Sequence, residues 1–164
     1  MKKLILSIIF CFVSFYSFGY QINENFTGQI IKKYKNGQVK SIENFKNGKL
    51  NGEFKEFFED GNLSQIGTFK NGDMENIKVF YENGNLKFEQ NLKDRKGKYR
   101  GYYPNGQLEE EGEVFQGEKI GLWKYYNENG SLSSEGMYKE GKKVGEWKFY
   151  KSDRTLLKII NYKN

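Results

Sequence analysis

The stretch "GLWKYYNENGSLSSEGMYKEGKKVG", residues 121–145, begins and ends on glycine, and the chain then starts the same phrase again with "EWKFY". Aligning the sequence on the opening position gives six copies, at spacings of 24, 23, 22, 24 and 24 residues. The copies start at Gly28, Gly52, Glu75, Gly97, Gly121 and Gly145. Self-similarity at a short, nearly constant period is typical of repeat proteins, in which each copy is one supersecondary unit. We therefore divide residues 28–164 into six repeats, 28–51, 52–74, 75–96, 97–120, 121–144 and 145–164, preceded by a lead-in at 20–27.

Most copies carry two turn signals. Nine residues after the opening position stands a glycine preceded by Asn or Asp, except in the last copy, where Arg154 replaces the glycine. The five glycines are Gly37, Gly61, Gly84, Gly106 and Gly130. This dipeptide between apolar runs predicts a two-residue hairpin turn. Further turns are predicted at Asn47-Gly48, Asn71-Gly72, Gln116-Gly117 and Glu140-Gly141. Two turns in a copy leave room for two short strands and no helix.

The turn predicts the register of each hairpin. The residue two after the opening position should pair with the residue fifteen after it. The expected pairs are Ile30–Glu43, Phe54–Gly67, Ile77–Gln90, Tyr99–Gly112, Trp123–Gly136 and Trp147–Ile160. In three of these pairs an aromatic ring faces a glycine, whose bare backbone the ring can cover. We expect two apolar columns on the same face, one of Val39, Leu63, Leu86, Leu108, Leu132 and Leu156, the other of Phe45, Phe69, Leu92, Val114, Tyr138 and Tyr162.

The opposite face should carry a basic column beside an aromatic one. The basic column is Lys55, Lys78, Arg100, Lys124 and Lys148, and the aromatic column is Phe57, Phe80, Tyr102, Tyr126 and Tyr150. Such interleaving can form a stacking platform for single-stranded nucleic acid or a footing for anionic lipid. The register favours a solvated structural face, because it places Glu89, Glu111 and Glu135 opposite Lys78, Arg100 and Lys124.

The third copy breaks the regular pattern. Glu75 replaces the opening glycine, and this copy and the segment "NLKDRKG" (91–97) are short by one and two residues. A slip of one residue would exchange the two faces, so we expect a tighter loop or a bulge to absorb the loss. The seam is either a docking groove for a partner or ordinary variation in loop length.

The N-terminal residues indicate export. Lys2 and Lys3 precede an apolar run from Leu4 to Val13, and the segment ends in "SFG" at 17–19, which is typical of a secretory signal peptide. A membrane anchor is the alternative, although the run is short for a spanning helix. Cleavage after Gly19 would remove Cys11 and two of the 27 basic residues, leaving 25 basic against 21 acidic residues and a net charge of +4. We expect a periplasmic, outer-surface or secreted protein.

The repeated phrase resembles the bacterial variant of the MORN repeat, the pattern of YwqK-type toxin-antitoxin antitoxins. The resemblance covers residues 28–164 and implies antiparallel hairpins joined edge to edge in an elongated, twisted sheet. It carries no catalytic residues over to this chain. Proteins with this repeat act as antitoxin or immunity partners of toxins, and MORN repeats more broadly are associated with membrane surfaces and protein scaffolding. The predicted signal peptide departs from an intracellular antitoxin.

The residue types argue against catalysis. The chain has no histidine and its single cysteine lies in the predicted signal peptide, which removes the usual nucleophilic and metal-binding constellations. The acidic run at Glu109, Glu110 and Glu111 follows a predicted turn, and we assign Glu111 to a pair with Arg100. We expect no enzyme activity, no cofactor and no metal.

The sequence therefore predicts an all-β protein: an elongated, single-layer antiparallel meander of up to twelve short strands, about 58 Å long at ~4.8 Å for each strand. An open sheet offers broad faces and two edges, which suits binding. The leading hypothesis is a secreted or periplasmic protein-interaction module. The alternatives are an antitoxin or immunity protein and a peripheral binder of anionic membrane surfaces, whereas nucleic-acid and small-molecule partners are not expected. The candidate partner-binding residues are Tyr102, Tyr126, Tyr150, Lys124 and Lys148.

Overall fold

The computed structural model describes residues 22–163, so the predicted signal peptide at 1–19 lies outside the described residues. Twelve strands form one open sheet in the order of the chain, and every neighbouring pair is antiparallel. The strands are β1 (Gly28–Lys33), β2 (Val39–Lys46), β3 (Lys49–Phe57), β4 (Leu63–Lys70), β5 (Asp73–Phe80), β6 (Leu86–Lys93), β7 (Lys96–Tyr102), β8 (Leu108–Phe115), β9 (Glu118–Tyr126), β10 (Leu132–Lys139), β11 (Lys142–Tyr150) and β12 (Leu156–Tyr162). The predicted all-β, single-layer meander is confirmed. No helix within residues 22–163 combines the length and apolar character that crossing a bilayer requires.

The loop inside each repeat has three residues, so the prediction of a two-residue turn there was wrong. In the first copy the Gly37 amide donates to the Tyr34 carbonyl at 3.0 Å, which closes a turn over Lys35 and Asn36. Of these loop residues only Gly37 has a positive φ, 86°. A type I turn followed by one left-handed residue favours the same Asn-Gly dipeptide as a two-residue turn. The left-handed position recurs at Gly61, Gly84, Gly106, Gly130 and Arg154.

The two-residue turns lie between the repeats. Asn47 and Gly48 have φ values of 50° and 71°, and two successive left-handed residues define a type I′ hairpin turn. The turns predicted at Asn71-Gly72, Gln116-Gly117 and Glu140-Gly141 have the same form and are confirmed. The fifth turn, Asp94-Arg95, has φ values of 51° and 63°. It was missed because neither of its residues is glycine.

The predicted hairpin register is confirmed in all six copies. A bulge next to each three-residue loop nevertheless changes the face of one column. In the fifth copy Tyr125 opposes Ser134 while Tyr126 opposes Leu132, so Ser133 is the extra residue. Directly opposed residues share a face. The aliphatic column that includes Leu132 therefore lies on the same face as Tyr126, so our prediction that it lies on the tryptophan face was wrong. The equivalent pairs in the other copies are Lys33–Val39, Phe57–Leu63, Phe80–Leu86, Tyr102–Leu108 and Tyr150–Leu156.

Bulges between the repeats absorb the unequal spacing of the copies. Where the spacing is 24, one strand carries two extra residues, as with Gly145 and Glu146 on β11. Where it is 23, only Glu75 is extra. Where it is 22, β6 and β7 pair with no shift at all. The bulge that we expected at the seam is present, with Glu75 as its extra residue. Strand pairing continues through the seam, so the side chains of each face remain on that face along the whole sheet.

The size of the bulge also explains the opening residue of the third, fifth and sixth copies. Gly121 and Gly145 lie in wide bulges with φ values of 65° and 63°, a region that favours glycine. Glu75 lies in the one-residue bulge and has no positive φ. The third copy can therefore begin with an ordinary residue.

The inner face, defined here as the face that carries Trp123 and Trp147, holds the core. Both indoles are 0% exposed although residues 22–163 contain no second layer that covers the sheet. Their neighbours are other rings: the centroid of Tyr138 lies 6.0 Å from that of Trp123 and 5.2 Å from that of Trp147. Each indole N–H donates to a backbone carbonyl, that of Glu113 or of Met137. The rings thus bury one another along the sheet.

The glycine under each tryptophan belongs to the preceding repeat. A Cβ on Gly136 would lie 2.3 Å from the Trp147 ring, and one on Gly112 would lie 2.4 Å from the Trp123 ring. Gly136 also pairs with Trp123 in its own hairpin, which we predicted to provide the cover. Because the covering ring comes from the next copy, this packing joins one repeat to another.

Substituting Gly136→Ala tests that packing. We expect a loss of about 1–3 kcal/mol in the free energy of unfolding, since the new methyl group cannot fit beneath the indole. The measurement is urea denaturation followed by tryptophan fluorescence and circular dichroism. In a Trp147→Leu background the same substitution should cost much less. An equal cost in both backgrounds would contradict the steric explanation.

Arg154 holds a left-handed φ of 69° at the position where five other copies have glycine. We expect Arg154→Gly to stabilise the protein by about 0.5 kcal/mol, because glycine lacks the Cβ that makes this conformation costly. The matched control is Arg154→Ala, which removes the charge and keeps the Cβ. If alanine stabilises the protein as much as glycine in thermal unfolding, the charge and not the backbone is responsible.

Candidate functional site

The five candidate residues share the outer face, which is the side of the sheet opposite the tryptophans. Tyr102 lies on β7, Lys124 and Tyr126 lie on β9, and Lys148 and Tyr150 lie on β11. All five side chains are half-buried. Alternate strands are about 9.5 Å apart in a sheet, so the tyrosines form an evenly spaced row. The predicted grouping of these residues on one face agrees with the register.

Each tyrosine hydroxyl of this row donates to a glutamate of the preceding repeat. The oxygen-to-oxygen distances are 3.1 Å for Tyr102–Glu89, 2.9 Å for Tyr126–Glu111 and 2.8 Å for Tyr150–Glu135. Sequence reasoning assigned these glutamates to basic partners only. The diagonal spacing of two residues across neighbouring strands is the signal that could have revealed the hydrogen bonds. The rings are therefore held rigidly, with their hydroxyls already bonded.

Most of the basic column is neutralised, as predicted, but one lysine is not. Arg100 Nε lies 3.5 Å from Glu111, and Lys78 Nζ lies 3.9 Å from Glu89. Lys124 opposes Glu135 in the register but forms no ion pair among residues 22–163. The Glu135 carboxylate accepts the Tyr150 hydroxyl instead.

Lys148 is paired, although with a residue of its own strand. Its Nζ lies 3.6 Å from Glu146. Lys124 is thus the member of the basic column, within the described part of the chain, whose charge is available to a partner.

Burial and the glutamates hold the tyrosines in the neutral form. Burial, followed by the hydrogen bond to Glu111, raises the pKa of Tyr126 to about 12. The same two causes, burial first and Glu89 second, raise the pKa of Tyr102. For Tyr150 the hydrogen bond to Glu135 is the larger cause of its raised pKa. These phenols act as hydrogen-bond donors and not as acids near neutral pH.

A terminal apolar patch lies next to Lys124 and was missed in the sequence. Leu122 and Met137 face each other across β9 and β10, and their side chains are 49% and 46% exposed. Other copies have polar pairs at this place, such as Gln29–Asn44, whose side chains are hydrogen-bonded at 3.1 Å. We define the patch as Leu122 and Met137. Two further exposed apolar residues of the same face, Leu156 and Ile159, oppose Tyr150 and Lys148 on β12. Comparing the six copies position by position would have revealed it.

Substituting Glu111→Gln tests the tyrosine row. The pKa of Tyr126 should fall from about 12 toward its ordinary value, since the variant removes the carboxylate that favours the protonated phenol. Tyr150, which is bonded to Glu135, is the internal control and should titrate unchanged. The measurement is a pH titration followed by NMR of protein with carbon-labelled tyrosine rings. No change at Tyr126 would contradict the assigned contact.

Comparison with known proteins places this geometry in a family. The family described as MORN repeat variant matches residues 26–47, 50–71, 76–94, 95–115 and 119–140, which is more than half of the chain. No curated protein matches the chain in sequence. Among solved structures, a protein of unknown function from Bacteroides fragilis aligns over 84% of this chain and 94% of its own, with 10% identity and a TM-score of 0.16, a likeness that supports no argument. The particular relation to YwqK-type antitoxins stays a prediction. The chain belongs to the MORN repeat variant family.

Proposed function

We propose that this chain is an exported, non-enzymatic module that binds a protein partner through the outer face of its last two repeats. MORN repeats generally serve as modules for interaction with proteins or membranes. The observation that supports this proposal is the terminal apolar patch. Large exposed hydrophobic groups gathered beside polar side chains are typical of interaction surfaces.

The surroundings of the patch suit a protein partner. The rigid rings of Tyr126 and Tyr150 and the free charge of Lys124 lie beside apolar side chains, a combination found at the energetic centres of protein interfaces. The tyrosine hydroxyls are already bonded, so docking a partner against the ring edges would leave no donor unsatisfied.

The charges on this face favour a protein over an anionic membrane. Glu89, Glu111 and Glu135 lie within the same face as the basic column, and their carboxylates would face lipid phosphates at close range. A polybasic stripe attracts anionic lipid only if its charge is not compensated. Here four of the five basic residues have a carboxylate within 4.0 Å.

The exported location rests on the N-terminal pattern of Lys2, Lys3 and the apolar run 4–13. An immunity function is the alternative. It requires the partner to be a toxin that acts where this protein is located.

The test is affinity capture from envelope and secreted fractions, with wild-type protein and the variant Leu122→Ser/Met137→Ser as parallel baits. We expect to capture a stoichiometric partner, and we expect the variant to retain at least about tenfold less of it. The reason is that the substitutions remove two apolar side chains that are buried against the partner in the wild-type complex. The matched control is Ile31→Ser, which removes a similarly exposed apolar side chain of the same face on β1, at the opposite edge of the sheet. The captured partner is then purified and its affinity for each bait is measured by calorimetry.

Each outcome has a distinct meaning. Equal loss of binding with Ile31→Ser would indicate general damage and contradict the assigned surface. Binding unaffected by all variants would place the interface elsewhere. A captured protein with a toxin domain would identify the immunity alternative, and retention of anionic vesicles alone would overturn the protein-partner proposal. Tyr126→Ser should weaken binding, whereas Tyr126→Phe should retain most of it because the ring remains.

A further inference from the structure

Two lysines lie over the buried tryptophans of the inner face at equivalent places in successive repeats. Lys119 Nζ lies 3.9 Å from the centre of the Trp123 ring, and Lys143 Nζ lies 4.0 Å from that of Trp147. Each lysine is the second residue after the type I′ turn that joins two repeats. The surroundings of the two ammonium groups can therefore be compared atom by atom.

The Lys119 ammonium is fully provided with polar partners. Its Nζ lies 2.5 Å from Glu110 Oε2 and 3.0 Å from the Tyr125 hydroxyl. That hydroxyl is in turn 2.9 Å from the Tyr138 hydroxyl. Glu110 is only 6% exposed, so it is a built-in, largely buried counter-ion for the lysine.

The Lys143 ammonium lacks both partners. Nine residues separate Glu110 from Lys119, and the residue nine before Lys143 is Ser134. The place of Tyr125 is taken by Phe149, whose ring centre lies 5.6 Å from Lys143 Nζ. Within residues 22–163 Lys143 forms neither an ion pair nor a hydrogen bond. Burial and the nearby charge of Lys119 lower the pKa of Lys143, as is usual for an uncompensated cation.

Open space lies where the missing carboxylate would be. Ser134 and Lys143 line one pocket of about 320 Å³, together with Tyr125 and Tyr138. Ser134 is 9% exposed and its hydroxyl makes no hydrogen bond among the described residues. The pocket thus combines an ammonium group, a free hydroxyl and two phenols. One phenol hydroxyl donates to the other, so the ammonium group, the Ser134 hydroxyl and one phenol remain as donors for an oxygen anion.

We propose that this pocket binds a carboxylate group, which takes at Lys143 the place that the Glu110 side chain takes at Lys119. The bound oxygens accept hydrogen bonds from the Lys143 ammonium and the Ser134 hydroxyl. Glu109 lines the same pocket, and burial, followed by the charge of Glu110, raises the pKa of its carboxyl group. This acidic neighbour disfavours highly charged ligands, so the site selects a single carboxylate over a phosphate dianion. The ligand is either an acidic side chain of a partner protein or a small free carboxylic acid.

The indole N–H signals provide the readout, because the chain has two tryptophans and each lies beneath one of the two lysines. Acetyl-glutamate amide is added to the purified protein while proton–nitrogen NMR spectra are recorded. We expect a saturable shift of the Trp147 signal and no shift of the Trp123 signal. Acetyl-glutamine amide, which has the same shape and no charge, should leave both signals in place.

Three variants test the assignment. Lys143→Met should weaken binding by about tenfold or more, the usual effect of losing a charge-assisted hydrogen bond. Ser134→Glu should abolish binding, because it supplies the carboxylate that the pocket lacks. Glu110→Ser should create a second site, so that the Trp123 signal also shifts. Spectral dispersion establishes that each variant is folded, and if Ser134→Glu does not fold, the other two variants decide the question.

The proposal is overturned if the Trp147 signal does not move, if the glutamine analogue moves it equally, or if a folded Lys143→Met variant binds as wild type does. Butyrate, which carries one carboxylate and no amide groups, distinguishes the sources of the carboxylate. Tighter binding of butyrate than of the glutamate derivative points to a small free acid, and the reverse points to a protein side chain. Tyr126 also lines the pocket and is unchanged in all three variants. Because Lys143 and Ser134 lie on the inner face and Leu122 and Met137 on the outer face, failure of this site would leave the proposed outer-face interaction untouched.

Discussion

A sheet of one layer has no second layer to cover its apolar side chains, and this constraint governs the rest of the structure. The indoles of Trp123 and Trp147 are buried only because each lies over a glycine of the preceding copy and between rings of its neighbours. An isolated hairpin would expose most of this surface and would be marginally stable. The stabilising contacts therefore run between repeats, which makes the array and not the hairpin the folding unit.

The repeat period, the turn dipeptides and the alternation of side chains were sufficient to predict twelve strands, their order and all six hairpin registers. The details that escaped prediction are those in which the chain departs from regular alternation. One residue inserted at Ser133 moves Leu132 to the other face, and no property of either side chain predicts this insertion. Asp94-Arg95 adopts a turn that usually requires glycine, because Lys93 pairs directly with Lys96 and only these two residues connect the strands.

The sequence was sufficient to predict which face of the sheet carries the five candidate residues, but not their hydrogen-bond and ion-pair partners. The five chosen residues share a face because alternation alone decides that. Their bonding partners depend on distances of a few ångströms across strands, as when Glu135 accepts the hydroxyl of Tyr150 and leaves Lys124 free. The Lys143 site was missed for a related reason. Nothing in the sequence distinguishes Ser134 from other serines until it is compared with Glu110, the residue at the equivalent position one copy earlier, which pairs with Lys119.

The bulge-free junction between β6 and β7 has a mechanical consequence. Bulges increase the local right-handed twist of paired strands, and every other junction between repeats contains one. The neighbouring strands should therefore twist less at this junction than at the other four. A rigid, flat surface laid against the protein would fit best across β6 and β7.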